Sequence, residues 1–357
     1  MSELAQREFH RILMIKPSSP GDILHALPVL HALRRRYPSA HIAWLVASTF
    51  VDIIAADPAL NEVIPFDRKR FGRLGRSLSV TADFLSFVRQ LRRERFDLVV
   101  DLQGLFRSGF LAMASGASVR IGFADARELA PAFYSHRIPR AANRDVHAVD
   151  KNLGVARLLN LDAAHPDVRI TLTAEDRTAA AQLLATVGVV EGERFVALVP
   201  GTRWETKCWP AERFGELAEK LSVQCGVKAV LVGGKDDEPL AATAIRAAHD
   251  RAASLCGRTT LRQAAAVIER AAIVVTADST PMHMAAALGR PLVALFGPTN
   301  PARTGPYGRS DDVLRLPLNC SPCYFRKLSQ CPYGLRCMKD LSVEAVFNAT
   351  VARLNPR

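Results

Sequence analysis

Short apolar runs, each closing on a turn and each followed by a helical pattern, recur along the whole chain. This alternation constrains the fold more than any single residue. In the first half, Ile12-Leu13-Met14-Ile15 leads into the turn "KPSSPGDILH" and a helical stretch to about Arg36. Ile42 to Val46, Val63 to Phe66, Leu98 to Val100 and Val119 to Ile121 read as further strands, with a helical segment from about Ala82 to Arg95. The second half repeats the plan. Phe195 to Val199, Ala229 to Val232, "AAIVVTADS" and "PLVALFG" are its strands, with helical patterns near Ala211 to Gln224, Leu240 to Ala248, Leu261 to Arg270 and Pro281 to Leu288. Strands alternating with helices build a parallel sheet covered on both faces. The expectation is an α/β protein of two tandem doubly wound domains, 1–170 and 171–340, with a linker region around Ala164 to Glu193. A last helix within 341–357 can pack back on the first domain. In such sheets ligands bind beyond the carboxyl ends of the strands, at the switch point. If the two sets of strand ends face each other, the site is the cleft between domains.

The formal charge of +12 on 357 residues calls for an anionic partner. Much of the excess lies early, in Arg34-Arg35-Arg36, Arg68-Lys69-Arg70, Arg73, Arg76 and Arg92-Arg93. No nucleic-acid motif is present, and aromatics are not interleaved as a base-stacking platform needs. A membrane surface or a phosphorylated ligand fits better than nucleic acid. No apolar run reaches the roughly 18–20 residues that span a bilayer. The start "MSELAQREFHR" has no signal-peptide core, so the expected compartment is the cytoplasm.

Three turns at strand ends carry chemistry. In Ser18-Ser19-Pro20-Gly21-Asp22 a carboxylate stands where a strand-to-helix turn ordinarily receives an anion. Asp22 is either a helix-start residue or a proton acceptor. The second turn, Gly201 to Pro210, places Thr202, Arg203 and Lys207 within six residues, a set suited to a pyrophosphate. Its two tryptophans, Trp204 and Trp209, read otherwise as packing anchors of a surface loop. The third, Asp278-Ser279-Thr280-Pro281-Met282-His283, has the grammar of a capped helix start, and such a start is also a phosphate site. Asp236, Asp237 and Glu238 after Gly233-Gly234 meet a nucleoside's hydroxyls or simply begin a helix. There is no GxGxxG after a strand and no P-loop, which weighs against a dinucleotide dehydrogenase and a nucleotide hydrolase of that type.

Four of the seven cysteines, Cys320, Cys323, Cys331 and Cys337, crowd one loop-like segment. Four soft ligands so spaced can close a structural zinc or iron site. Packed free thiols are the alternative, and disulfides do not suit a reducing cytosol.

Three segments, "ILMIKPSSPGDILHALPVLHAL", "LVPGTRWETKCWPAERF" and "TADSTPMHMAAALGRPLVALFGPTNPARTGPYG", resemble in that order the lipopolysaccharide heptosyltransferases of glycosyltransferase family 9. The resemblance spans the chain, and "VVDLQGLFRSG", "RIGFADARELAPAFY" and "HAVDKN" are nearer to the members that add the first heptose. It implies a GT-B fold of two Rossmann-like domains across a cleft, an ADP-heptose donor in the second domain and a Kdo2-lipid A acceptor in the first. It also implies inversion at the anomeric carbon with no cofactor required for catalysis. By motif, Asp22 corresponds to the catalytic base and Lys207 to the lysine on the donor phosphates. Thr202, Arg203, Glu238, Asp278, Ser279, Thr280 and His283 complete the donor set. Pro281 departs from the family, which commonly has glycine there.

Ser18, Ser19, Gly21, Arg68, Lys69, Arg70, Arg73 and Arg120 are then candidates for the acceptor, whose carboxylates and phosphates give the basic residues a partner. The protein is expected to work peripherally, on the anionic cytoplasmic face of the inner membrane. Competing readings are transfer to a later heptose or to protein serines, a sugar-nucleotide 2-epimerase, and a nucleotide-sugar binding protein without catalysis.

Overall fold

The computed structural model describes residues 3–141, 143 and 145–354, so the outermost residues of the expected first and last segments lie outside it. The chain divides after Thr171 into two compact units. In the first, β1 (Arg11–Ile15), β2 (His41–Ala47), β3 (Glu62–Phe66), β4 (Leu98–Asp101), β5 (Val119–Phe123) and β6 (His136–Ile138) form one sheet. Its order is β3-β2-β1-β4-β5-β6, and every neighbouring pair is parallel. The second unit holds β7 (Phe195–Val199), β8 (Lys228–Leu231), β9 (Ala252–Ser254), β10 (Ile273–Ala277), β11 (Leu292–Phe296) and β12 (Val313–Arg315). Its order, β12-β11-β10-β7-β8-β9, is the same topology read from the other edge. Both sheets are therefore doubly wound, and in each the first and fourth strands lie side by side where the winding reverses.

The central strands form because their residues are apolar on both faces. Ile12 to Ile15, Phe195 to Val199 and Ile273 to Ala277 are buried throughout, as strands covered by helices on each side must be. The three-residue strands β6, β9 and β12 were not anticipated. They are the outermost or late strands, and their sequences HRI, AAS and VLR carry no apolar run.

The last helix, Val343–Leu354, which could have packed on the first domain, is built into the core of the second unit. Val346, Phe347 and Leu354 belong to the core of the second unit, with Leu217 and Leu221 of the helix Ala211–Cys225. Trp209 Nε1 and Arg213 Nη1 both donate to Leu341 O, at 2.9 and 2.6 Å, and set the direction in which the helix starts. Arg194 donates to Leu354 O at its end. Among the described residues no helix is long and apolar enough to cross a membrane.

Candidate active site

Each unit carries a cluster of candidate residues at its own reversal point, beyond the carboxyl ends of its central strands. In the first, Lys16 follows β1 directly. It is 8 % exposed, its N–H donates to Leu45 O, and its Nζ donates to Leu102 O at 2.8 Å, just past β4. The ammonium thus bridges the two strands at which the sheet reverses. Asp22 sits in the short helix Pro20–Leu24, half-buried, and its Oδ2 accepts both the N–H of Ser19 (3.0 Å) and the Ser19 hydroxyl (2.7 Å). Burial acts to raise the Asp22 pKa, but the Lys16 charge and the Ser19 hydrogen bonds outweigh it, and the carboxyl stands below the ordinary aspartate range. Cap and charged carboxylate are one arrangement here, not alternatives.

Asp101, at the end of β4, is fully buried and accepts the Tyr134 hydroxyl at 2.6 Å and the N–H groups of Gln103 and Gly104. Burial pushes its pKa up against those donors, while burial lowers that of Lys16 against the pull of Asp22 and Asp101. Beside this network lies a cavity of about 330 Å³ lined in part by Ser18, Arg68, Gln103, Phe106, Arg107 and Glu128. Arg68 donates to Ser18 Oγ at 2.6 Å. Gln103 Oε1 is buried with no hydrogen-bond partner among the described residues, an atom that a ligand hydroxyl reaching the cavity would satisfy.

The remaining basic candidates are not all gathered here. Lys69 and Arg73 are exposed, and Arg70 is ion-paired with Asp83. Arg120 is set apart. It pairs in register with Val99, near the amino end of the sheet, and its guanidinium donates to the carbonyls of Ala117 and Phe133. Nothing in that position brings it to the cavity, so the expectation for Arg120 does not carry forward.

In the second unit the loop after β7 starts at Gly201. A Cβ there would lie 1.7 Å from Asp237 Oδ1, so any other residue would force the carboxylate or the loop to shift. Lys207 Nζ lies 2.7 Å from Asp278 Oδ2 and 4.3 Å from the ring centroid of Trp204. The same carboxylate oxygen accepts the Thr299 hydroxyl at 2.7 Å, and Thr202 Oγ1 donates to Asp278 O at 3.4 Å. One donor of the ammonium is thereby spent on Asp278, and two are left for an anion.

Ser279 caps the helix Thr280–Ala287 by position, yet its hydroxyl bonds Thr276 and leaves the helix-start N–H groups to another acceptor. His283 is buried within that helix. Glu238 opens the helix Glu238–Ala247, exposed, against Gly257, where a Cβ would come within 2.2 Å of Glu238 Oε1. Arg203 is exposed on the loop.

The two tryptophans separate in role. Trp209 is buried edge-on against Phe214, the anchor that the sequence suggested. Trp204 instead carries two cations, Lys207 on its ring and Arg326 at 4.7 Å. Arg326 belongs to the cysteine-rich segment, which also holds the loop by Thr206 Oγ1 donating to Phe325 O and Leu328 N–H donating to Glu205 Oε2.

Cys320, Cys323, Cys331 and Cys337 line one void of about 20 Å³, and burial pushes the Cys337 thiol up to about 11. The four sulfurs match zinc or iron in number and softness. Yet among the described residues no group of three or more His, Cys, Asp or Glu is arranged to hold a metal ion. The donor set suits a metal, and the geometry of the described residues does not close on one.

Comparison with known proteins decides the family. The model of glycosyltransferase family 9 (heptosyltransferase) matches residues 84–333. The chain belongs to that family. Lipopolysaccharide heptosyltransferase 1 of Pseudomonas aeruginosa is 33 % identical over 351 residues, 97 % of this chain and 95 % of that one. The enzyme of the same name from Escherichia coli K12 is 32 % identical over 86 % of this chain and 94 % of its own.

A family 9 glycosyltransferase structure from Veillonella parvula superposes with a TM-score of 0.83 at 24 % identity, covering 98 % of both chains, and so bears on the fold alone. An E. coli heptosyltransferase solved with ADP-2-deoxy-2-fluoro heptose has a TM-score of 0.73 at 26 % identity, over 96 % of this chain and 99 % of that one. The fold is thus that of the GT-B heptosyltransferases, and this family 9 protein is a glycosyltransferase. Lys16, Asp101, Tyr134 and Gln103 belong to the network around the first unit's reversal point, and motif reading did not single them out. The signal for Gln103 was present in "VVDLQGLFRSG", the segment that ends β4.

Proposed function

We propose that this glycosyltransferase moves a heptose from ADP-heptose to a Kdo hydroxyl of the lipopolysaccharide inner core, in Kdo2-lipid A, with inversion at the anomeric carbon. The observation that carries the reading is a carboxylate, Asp22, held below the ordinary aspartate range by Lys16 and Ser19, in the turn whose Ser18 lines the cavity that Gln103 also lines. The names of the Pseudomonas and E. coli relatives, and the ADP-heptose analogue in the E. coli structure, support the choice of sugar and acceptor.

In the step itself the acceptor oxygen attacks C1 of the heptose while its proton passes to the Asp22 carboxylate. The bond from C1 to the diphosphate oxygen breaks, and ADP leaves with both electrons. General-base help of this kind is worth about 10²–10⁴-fold. Lys207 and the N–H groups at Thr280 would take up the charge that develops on the diphosphate. Glu238 stands for the ribose, and Arg68 with the exposed Lys69 and Arg73 for acceptor carboxylates and phosphates. The protein would act peripherally on the cytoplasmic face of the inner membrane, where that acceptor is embedded.

Incubation with ADP-heptose and Kdo2-lipid A, scoring ADP release together with mass gain on the lipid, tests the reading. Equal release and gain support it. ADP release without gain, or gain only on a substrate that already carries heptose, overturns the acceptor. Metal analysis of protein purified without chelator tests the separate expectation of zinc or iron at the four cysteines: stoichiometric metal supports it and less removes it.

A further inference from the structure

The helix Leu78–Arg93 has two unlike faces. Val80, Phe84 and Leu91 point into the first unit's interior, with Phe87 and Val88 partly covered beside them. On the opposite side Leu78, Ala82, Leu85, Arg89 and Arg92 follow at steps of four, three, four and three, the spacing that keeps residues on one stripe. All five are exposed, Leu78 by 92 % and Leu85 by 47 %. The stripe is apolar in its first half and cationic in its second. The turn that leads into it exposes Leu74 between Arg73 and Arg76. Between residues 68 and 95 there are nine Lys or Arg against Asp83 and Glu94.

Single exposed leucines are ordinary, but Leu78 and Leu85 on one stripe, with Leu74 on the turn before it and arginines at their rim, have the pattern of an interaction surface. Nucleic acid would meet the arginines, but the aromatics Phe71, Phe84 and Phe87 pack against one another inside, so no stacking platform is offered. A bilayer rich in anionic lipid answers both halves at once, with headgroup phosphates for the arginines and the acyl boundary for the leucines. We infer that residues 68–93 form a docking face for an anionic lipid bilayer, with Leu74, Leu78 and Leu85 entering the interface and Arg73, Arg76, Arg89 and Arg92 at the headgroups. The face begins at the cavity, because Arg68 both opens the segment and donates to Ser18. It therefore sits where a lipid-linked acceptor would deliver its sugar, and in this respect the inference rests on the acceptor proposed above.

The test uses the whole protein and two double variants, Leu78→Ser with Leu85→Ser and Arg76→Glu with Arg89→Glu. Unchanged melting temperatures establish that both fold. Co-sedimentation with phosphatidylcholine vesicles, with and without phosphatidylglycerol, reads docking directly. The wild type should bind only the anionic vesicles and lose binding as salt rises. Removing each arginine should weaken binding roughly fivefold, and the leucine variant should lose retention in salt that the wild type still tolerates.

Transfer is then measured on vesicle-embedded Kdo2-lipid A and on its deacylated, water-soluble form. Both variants should slow on the first and match the wild type on the second. Wild type that ignores anionic vesicles, variants that bind as it does, or an equal loss on both acceptors overturns the docking face. So does a concentration-dependent dimer that the leucine variant abolishes without any vesicle binding. Vesicle binding with no transfer to either acceptor would sink the acceptor reading and leave the docking face standing.

Discussion

Lys207 Nζ and Asp278 Oδ2 stand 2.7 Å apart and join the loop after β7 to the end of β10, across the reversal of the second sheet. The pair holds a cation where the proposed diphosphate would need one, and it also ties the loop to the strand end. Lys207→Met should lower kcat by about 10²–10³-fold, the scale for losing one donor to a developing negative charge. Asp278→Asn should keep the lysine but leave it largely buried and unpaired, costing up to about 3 kcal/mol of stability. Chemical denaturation separates the two: a large stability loss in the lysine variant with little change in kcat would reverse the roles.

For Asp22 the expected change is chemical. Asp22→Asn keeps shape and can still accept from Ser19, while the proton acceptor is gone. We expect kcat to fall about 10²–10⁴-fold with ADP-heptose affinity retained. Calorimetric titration of the donor alongside steady-state turnover checks this, and turnover near wild type removes Asp22 as the base.

The pH dependence follows from the direction of its shift. A base with a lowered pKa stays ionised as the medium becomes acidic, so the acidic limb of kcat/KM should lie below the ordinary aspartate range. The same group adds stability above its unfolded pKa and loses it as pH falls through its folded one. Lys16→Met removes the nearby positive charge and should move the acidic limb upward. A limb that stays in place in a folded Lys16→Met protein would show that the ammonium does not govern Asp22.

Gln103 gives a prediction about the acceptor alone. Gln103→Leu removes the unpartnered amide oxygen at similar volume. The acceptor KM should rise roughly tenfold, the cost of about one lost hydrogen bond, while the donor KM stays put. Parallel changes in both constants would place Gln103 outside acceptor recognition.

Gly201→Ala probes the donor loop through its backbone. The added methyl would meet Asp237 at 1.7 Å, so loop or carboxylate must shift. A loss of about 1–3 kcal/mol is expected from such overpacking, with weaker donor binding, and a thermal melt with a binding isotherm reads both.

How much of this was legible before the structure depended on how each residue finds its partners. The central strands could be read because a strand buried on both faces must be apolar throughout, as Phe195 to Val199 is. The strands HRI, AAS and VLR could not, since a short edge strand has no such requirement. Asp22 and Lys207 stand in turns whose chemistry is local and therefore visible. Tyr134 reaches Asp101 from 33 positions away, and Lys16 finds Leu102 from 86, so neither contact has a trace in local spacing. Arg120 shows the opposite error: as a letter it is a cation awaiting an anion, but in the fold two carbonyls occupy it. Trp204 looked like an anchor because a tryptophan's apolar bulk is evident in sequence and its ring's attraction for cations is not.

The placement of the helix Val343–Leu354 also sets an order of events during synthesis. The first unit has all of its strands once residue 138 has been made, and it can fold while the second is still being translated. The second cannot close its core until Leu354 has left the ribosome, because that residue and Phe347 complete the apolar cluster begun at Val196. A ribosome stalled shortly before that point would present a finished first unit joined to an open second one. Newly made chains should therefore be most exposed to proteases and chaperones in their second half, from its first strand until Leu354 has emerged.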